Sequence, residues 1–591
     1  MASTLAGKNS EIQIADGVQH SAGWLTVEGA AYLGLALAAA WLRFLHLGTR
    51  PLDPQEANQA WAAWRLTQGL AITGTGQSPL LLSLQYLTFL VTGATDVLAR
   101  FWPALAGTGM VLLPYGLRHR LGRGGALAAA TVLALSPSLV FFSRYGGAEI
   151  LVAAASLALL VAFVNWLDGR PQWLTAAVAA AGAMLISGPS GWTVVPVFVG
   201  LALWLARGKK VSGEQIRQAL LPFGLVMVLG STALLLHWRG FGLTADLLSA
   251  WLGRFRPGSG SYPWFWPAYR LLIDEPLLLA LGGAGIVWGL RRGDKLAAGL
   301  AAWSGWAVLV PTMAGGRQPG DLLLVVVPLA LLAARPIAGL VTDLHRRYMS
   351  GPLLEETDGW HRPRLEFGLL LLVLLVLVVT SAIWLATYSR SYTSDYMWVA
   401  LSPIGLAVLA VVLYGFWGGW PGALQGAGTV ALFVLVLYSA SLAWGLNLDF
   451  SADRRGAILT ESGTHGMRSL PATLEVLSSL QADDPHEIPI DMVTVNEGDR
   501  LAPVLGWALR DFGQVRWVSD GILGAAATVV VATESQEVPV GDTYAGQDFP
   551  MIVEWNPLSL RGKALWRWLL YREAPAAPPA ENVVLWVSTV Q

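Results

Sequence analysis

Acidic side chains are scarce in the first 446 residues, so the positions they occupy carry information. Asp53 and Glu56 stand three apart in Leu52-Asp53-Pro54-Gln55-Glu56-Ala57. A carboxylate at the start of a helix facing a membrane surface is placed to take a proton from an incoming hydroxyl. The same spacing also fits a plainer role, with Asp53 as N-cap before Pro54 and Glu56 complementing the first-turn dipole. A second group is Ser143-Arg144-Tyr145-Gly146-Gly147-Ala148-Glu149. An Arg and a carboxylate at membrane depth are costly unless paired or functional, so Arg144 and Glu149 are either a structural pair or substrate ligands. A third is Gly315-Gly316-Arg317-Gln318-Pro319-Gly320, a tight turn with one cation. The guanidinium fork of Arg317 suits phosphate oxygens, and its alternative is to snorkel to the interface.

A longer segment holds His237, Arg239, Arg254 and Arg256 together with Trp264 and Trp266. It either covers a lipid-borne ligand or rests among headgroups, and His237 and Arg239 join Arg100 as further candidate ligands. No metal motif accompanies these groups. There is no His-Glu-x-x-His, and the eight His are scattered, so no cofactor is expected, with a divalent metal left open. With no Cys in 591 residues, disulfides, thiolate metal sites and Cys nucleophiles are excluded.

The elements that must position these residues are membrane helices. The chain is 54% hydrophobic and 13% charged, against roughly 25% charged in soluble domains. It carries 28 Trp, whose rings favour membrane–water interfaces. A net charge of −1 leaves no basic field for nucleic acid. The fold class expected is an α-helical polytopic membrane protein with a C-terminal α/β domain. Apolar runs near 27–46, 101–118, 124–142, 150–167, 173–188, 190–206, 219–237, 271–290, 296–313, 320–334, 365–387, 399–416 and 423–446 give thirteen candidate crossings.

The run 78–93 is short and carries Gln85, and is read as lying in the membrane plane. On that reading Arg118/Arg120/Arg123, Arg207/Lys209/Lys210, Arg291/Arg292/Lys295 and the loop with Arg346, Arg347, Arg362 and Arg364 all share the side of Lys8. The positive-inside rule makes that side cytoplasmic. It places residues 1–26 inside, and the long first loop 47–100 and residues 447–591 outside. Within 27–446 the charge is sparse. Residues 447–591 hold 19 acidic and 10 basic side chains, as a soluble domain would. There the patterns predict helices over Leu470–Leu480 and Arg500–Phe512. Strands are predicted over Ile488–Val495, Val515–Val518, Ala526–Ala532 and Asn582–Val590.

Several stretches together resemble the GT-C superfamily of membrane glycosyltransferases, the group of aminoarabinose transferase and the protein O-mannosyltransferases. They are Trp41-Leu42-Arg43-Phe44-Leu45-His46-Leu47-Gly48 with the acidic loop after it, Ser78-Pro79-Leu80, and Ala99-Arg100-Phe101-Trp102-Pro103. The last is Ala134-Leu135-Ser136-Pro137 leading into Phe142-Ser143-Arg144. The order and spacing match over about residues 40–200. The tail, with Trp507-Ala508-Leu509-Arg510-Asp511-Phe512 and Leu565-Trp566-Arg567-Trp568, is similar to a prokaryotic branch described as flippase-associated, which implies a multi-pass protein of the prokaryotic plasma membrane.

The resemblance implies inverting transfer of a sugar from a polyprenyl-phosphate donor to a hydroxyl of a glycan, lipid or protein acceptor. It implies little or no metal dependence. It also implies an adjacent Asp-Glu in the first outer loop, the Asp serving as base. Glu56 keeps the register of that Glu, and Gln55 stands where the base belongs, so Asp53 or Glu56 is left to act. Glu149 fills the second carboxylate position of the resemblance. The alternative is a non-catalytic accessory or scaffold that binds or helps translocate lipid-linked glycans.

Overall fold

The computed structural model describes residues 26–72, 77–205, 207, 212–256, 262–349, 363–391, 396–448, 458–481, 484–493, 500–518, 529–534, 543–573 and 578–589. Lys8 and the rest of the N-terminal segment up to residue 25 lie outside the described residues, as do Lys209, Lys210 and Arg362.

Eight described helices are long and apolar enough to cross a membrane, and ten if two bent pairs are counted as spans. This differs from thirteen in three places. The expected crossings 173–188 and 190–206 are the helices Trp173–Ser187 and Gly191–Leu205, 15 residues each, divided by the Gly188-Pro189 break. The expected 219–237 starts earlier, as Gly213–Ser231, and takes in Glu214 and Arg217, which dilute its apolar character. Pro79–Thr92 is a helix of 14 residues, too short to span upright.

The bundle is organised around the helix Leu323–Met349. Its first half is buried on every side, as expected of a helix that is hydrophobic all round. The two bent pairs meet beside it. Arg123–Leu135 and Pro137–Ser143 break by 60° at Ser136-Pro137, and Trp266–Asp274 and Pro276–Arg291 by 103° at Glu275-Pro276. In each case proline at the first helical position starts the second half. Glu275 accepts from the Ser136 hydroxyl at 2.6 Å and the Ser138 N–H at 2.9 Å. That carboxylate joins the two breaks and aims the short Pro137–Ser143 helix, with Arg144 at its end.

The tail is a six-stranded mixed sheet with helices. Its strands are β1 (Glu461–Gly463), β2 (Ile490–Val493), β3 (Val515–Val518), β4 (Val529–Thr533), β5 (Tyr544–Glu554) and β6 (Ala580–Ser588), in the order β1-β5-β6-β4-β2-β3. β2 runs parallel to β3 and β4, and the other pairs are antiparallel. Expected helices appear as Gly466–Gln481 and Leu501–Ala508. Of the expected strand from Ala526, residues 526–528 lie outside the described residues, as do 494–495 and Val590. β5 went unpredicted. Its first seven residues, Tyr-Ala-Gly-Gln-Asp-Phe-Pro, include the poor strand formers Ala, Gly, Asp and Pro, and it is carried by its pairing with β6 through a register shift near Pro550.

The tail shares its core with the first loop. Leu52, Ala57, Ala60, Trp61 and Leu82 are packed with Leu470, Leu474, Leu501, Leu505, Trp507 and Val529 in one buried cluster. Gly506 is what lets the two faces meet, since a methyl group there would run into the Trp61 indole.

Candidate active site

The site begins at the last turn of the helix Val27–Phe44. Arg43 is fully buried; its Nε donates to the Ser143 hydroxyl at 3.1 Å and its Nη2 to the Leu133 carbonyl at 3.1 Å. Arg144 then caps the same helix end. Its Nη1 donates to the carbonyls of Leu42, Arg43 and Leu45 at 3.0, 3.2 and 2.7 Å, and its Nη2 to that of His46 at 3.3 Å. A cation on orphan C-terminal carbonyls is the arrangement the helix dipole favours. Burial, with Arg50 and Arg100 nearby, pushes the Arg144 guanidinium down to about 10, so this corner is densely cationic.

Next along the chain, Asp53 is the N-cap of the helix Pro54–Thr67 and forms a capping box with Glu56. Glu56 is 1% exposed, and its two oxygens accept four donors. They are Arg100 Nε at 2.7 Å, Arg100 Nη2 at 2.6 Å, the Asp53 N–H at 2.8 Å, and the Gly146 N–H. Arg100 is equally committed, donating also to the carbonyls of Leu47, Arg50 and Pro51 at 3.1, 2.8 and 2.9 Å. The pair therefore ties the first loop to the Asp96–Met110 helix and to the turn after Arg144. The geometry suits positioning better than proton transfer or phosphate binding. Asp53 Oδ1 accepts from the Gly463 N–H of the tail at 2.8 Å. Gly463 allows this approach because a Cβ there would collide with the Leu52 carbonyl.

Two cavities meet at Asp53 and Tyr145. The smaller, about 30 Å³, is lined by His46, Arg50, Arg100 and Arg144 as well as by Asp53, Glu56 and Tyr145. The larger, about 370 Å³, lies between bundle and tail. On the bundle side it is lined by Asp53, Gln55, Tyr145, Arg254, Tyr262, Arg317 and Gln318, and on the tail side by Thr460, Glu461 and Glu554. Its bundle wall is built by cross-ties. Arg254 donates to the Gly316 carbonyl at 2.8 Å and pairs with Asp321. Arg317 donates to the carbonyls of Tyr262 and Thr312 at 2.7 and 3.0 Å, while its Nε is buried without a hydrogen-bond partner among the described residues. The Tyr262 hydroxyl shares a 2.7 Å hydrogen bond with that of Thr460, bridging bundle and tail.

Asp53, Glu56, Arg100 and Arg144 thus converge on the smaller cavity, and Arg317 shares the larger cavity with Asp53. Arg144 and Arg317 line different cavities. Glu149 starts the helix Glu149–Leu167; its Oε2 is buried without a hydrogen-bond partner among the described residues, and it lines neither cavity. His237 and Arg239, at the turn before Gly240–Gly253, also line neither. Burial and Arg239 depress the His237 imidazole. Tyr145 donates to the Gln55 side-chain oxygen at 3.2 Å, and burial holds its phenol well above the usual value, so it acts as a donor. Among the described residues no three His, Asp or Glu gather as metal ligands.

Sequence reasoning missed Tyr262, Glu461 and Glu554. The tail residues carry no local signal, since they reach the cavity through sheet pairing more than 400 positions after Asp53.

Residues 76–252 match the family described as dolichyl-phosphate-mannose-protein mannosyltransferase. The structure is similar to ArnT from Cupriavidus metallidurans bound to undecaprenyl phosphate, at a TM-score of 0.53 and 15% identity over 96% of this chain and 98% of that one. The apo form of ArnT from that organism gives 0.52 at 15% identity, over 95% of this chain and 98% of that one.

The fold is that of the GT-C superfamily.

The archaeal oligosaccharyltransferase AglB from Archaeoglobus fulgidus is also similar, at 0.47 and 12% identity over 86% of this chain and 69% of that one. A comparison with curated protein sequences returns no match. The GT-C fold extends along nearly the whole chain, past the stretch where the sequence motifs lie. The family match begins after Asp53 and Glu56 and so leaves the first-loop carboxylates to be judged on geometry.

Proposed function

We propose that the protein is a glycosyltransferase that moves a sugar from a polyprenyl-phosphate donor to an acceptor hydroxyl at the outer face of a prokaryotic plasma membrane. The observation that carries this reading is the polarity of the larger cavity. Arg254 and Arg317 stand on its bundle wall, Asp53 at its boundary with the cationic cavity, and acidic groups on its tail wall. The donor phosphate sits against the bundle wall beside Arg254 and Arg317. As the anomeric C–O bond to phosphate breaks, charge grows on the leaving phosphate, and fixed cationic donors favour that transition state. Asp53 takes the acceptor proton as the acceptor oxygen attacks the anomeric carbon. Glu56, Arg100 and Arg144 hold the loop that carries Asp53.

A second reading has specific support. Gln55 occupies the base register, and both first-loop carboxylates serve as caps and ties, which suits an accessory protein that binds lipid-linked glycan without turnover. Purified protein incubated with radiolabelled polyprenyl-phosphate sugars separates the two. The transferase reading expects sugar release to water or transfer to an added acceptor. Binding of the lipid with no turnover supports the accessory protein and overturns the enzyme.

A further inference from the structure

The tail wall of the larger cavity holds a charge arrangement that the fold alone does not explain. β1 and β5 pair antiparallel with Glu461 directly opposite Glu554. Like charges opposite one another on neighbouring strands are destabilising. Glu461 is partly relieved by Arg500, whose Nη1 lies 2.9 Å from its Oε1. Arg500 also reaches Glu581 at 3.5 Å. Among the described residues the Glu554 carboxylate forms no hydrogen bond and no ion pair within 4 Å, although it faces both this cavity and a neighbouring one lined by Arg500, Glu534 and Glu581. The opposite wall of this cavity, whose volume is about 370 Å³, carries Arg317 and the Asp321-paired Arg254. That volume falls within the range of small-ligand sites. Planar acceptor groups on one wall and amide and hydroxyl groups from Gln55, Gln318 and Thr460 beside them match the hydroxyls of a polyol.

We propose that Glu554, with Glu461 beside it, forms the acceptor subsite and makes the protein select a polyhydroxylated, glycan-type acceptor without negative charge. This deepens the proposed function and rests on it. The carboxylates accept hydrogen bonds from acceptor hydroxyls and repel anionic acceptors, so part of the selection comes from repulsion. They also keep the donor phosphate on the opposite wall, which gives the two substrates separate places. Glu554 here is a binding and selecting group; the acceptor proton still goes to Asp53.

The test uses the purified full-length chain in an uncharged detergent and three probes of one size: methyl β-D-glucoside, its 2-amino-2-deoxy analogue and methyl β-D-glucuronide. Binding is followed by saturation-transfer NMR. The neutral and amino sugars are expected to bind, with the glucuronide about tenfold weaker. In Glu554→Gln that gap should close to within a factor of about three, and in Glu461→Gln it should narrow less, because Arg500 already offsets that charge. Glu554→Gln should unfold at or above the wild-type temperature, since it relieves a like-charge pair, so loss of fold will not mimic the effect. An unchanged gap in Glu554→Gln, equal binding of the glucuronide to the wild type, or no binding of any of the three sugars overturns the proposal. Polyprenyl phosphate binding by the wild type is measured on the same preparation. Failure there counts against the glycosyltransferase reading, whereas failure of charge selection alone counts against the acceptor subsite.

Discussion

At the scale of single residues, the two first-loop carboxylates separate by what surrounds them. Glu56 accepts four donors in a buried setting and is paired with a guanidinium that has no exit to solvent. Removing one partner of such a pair strands the other charge, at a cost of about 3–5 kcal/mol. Glu56→Gln should therefore lower the unfolding temperature sharply, measured by thermal unfolding in detergent, whatever it does to activity. A variant as stable as wild type would show that the Arg100 tie is dispensable. The spacing in the sequence made both Asp53 and Glu56 visible and gave capping and chemistry as alternatives. The structure shows that capping is real for both, with Asp53 additionally on the wall of both cavities. Arg144 looked like a free ligand because its partners are main-chain carbonyls on another helix, and carbonyls leave no mark in a sequence. Glu461 and Glu554 were invisible for a similar reason, because sheet pairing brings them to the site.

At the scale of elements, proline and its neighbours were readable, and they mark where the helices turn toward the site. Ser78-Pro79, Ser136-Pro137, Gly188-Pro189 and Glu275-Pro276 each sit at a helix start or break. The crossings that the structure does not supply at full length were those where apolar composition continued through a turn or a charged start. The contact between the Pro54–Thr67 helix and the tail helix Leu501–Ala508 was not readable, since it depends on Gly506 accepting the Trp61 indole. Adding a methyl group there overpacks a buried contact, which costs typically about 1–3 kcal/mol. Gly506→Ala should loosen the tail from the first loop, seen as faster proteolysis between the two and a lower unfolding temperature. Unchanged protection would mean the tail is held mainly by other contacts, such as Arg468 on Asp96 and Trp507 Nε1 on Asp96.

At the scale of the whole molecule, the shared core puts the first loop and the tail at one end of the bundle, and from the basic-loop pattern of the sequence we propose that this end is the outer one. The chain has no Cys, so single introduced thiols report without background. Ser479→Cys, exposed on the tail helix Gly466–Gln481, should react with an impermeant thiol reagent in intact cells, while Ser212→Cys, exposed before Gly213–Ser231, should react only after lysis. The reverse pattern would turn the site to the cytoplasm and remove the outer acceptor. The claim on which the function rests is that a carboxylate at the junction of the two cavities takes the acceptor proton. Asp53→Asn keeps the shape and the capacity to accept from Gly463 while removing basicity. The decisive measurement is the rate of sugar transfer or release from a radiolabelled polyprenyl-phosphate sugar by wild type and Asp53→Asn at equal donor occupancy. A fall of about 10²–10⁴ with binding retained is the predicted result; turnover at the wild-type rate in Asp53→Asn would contradict it.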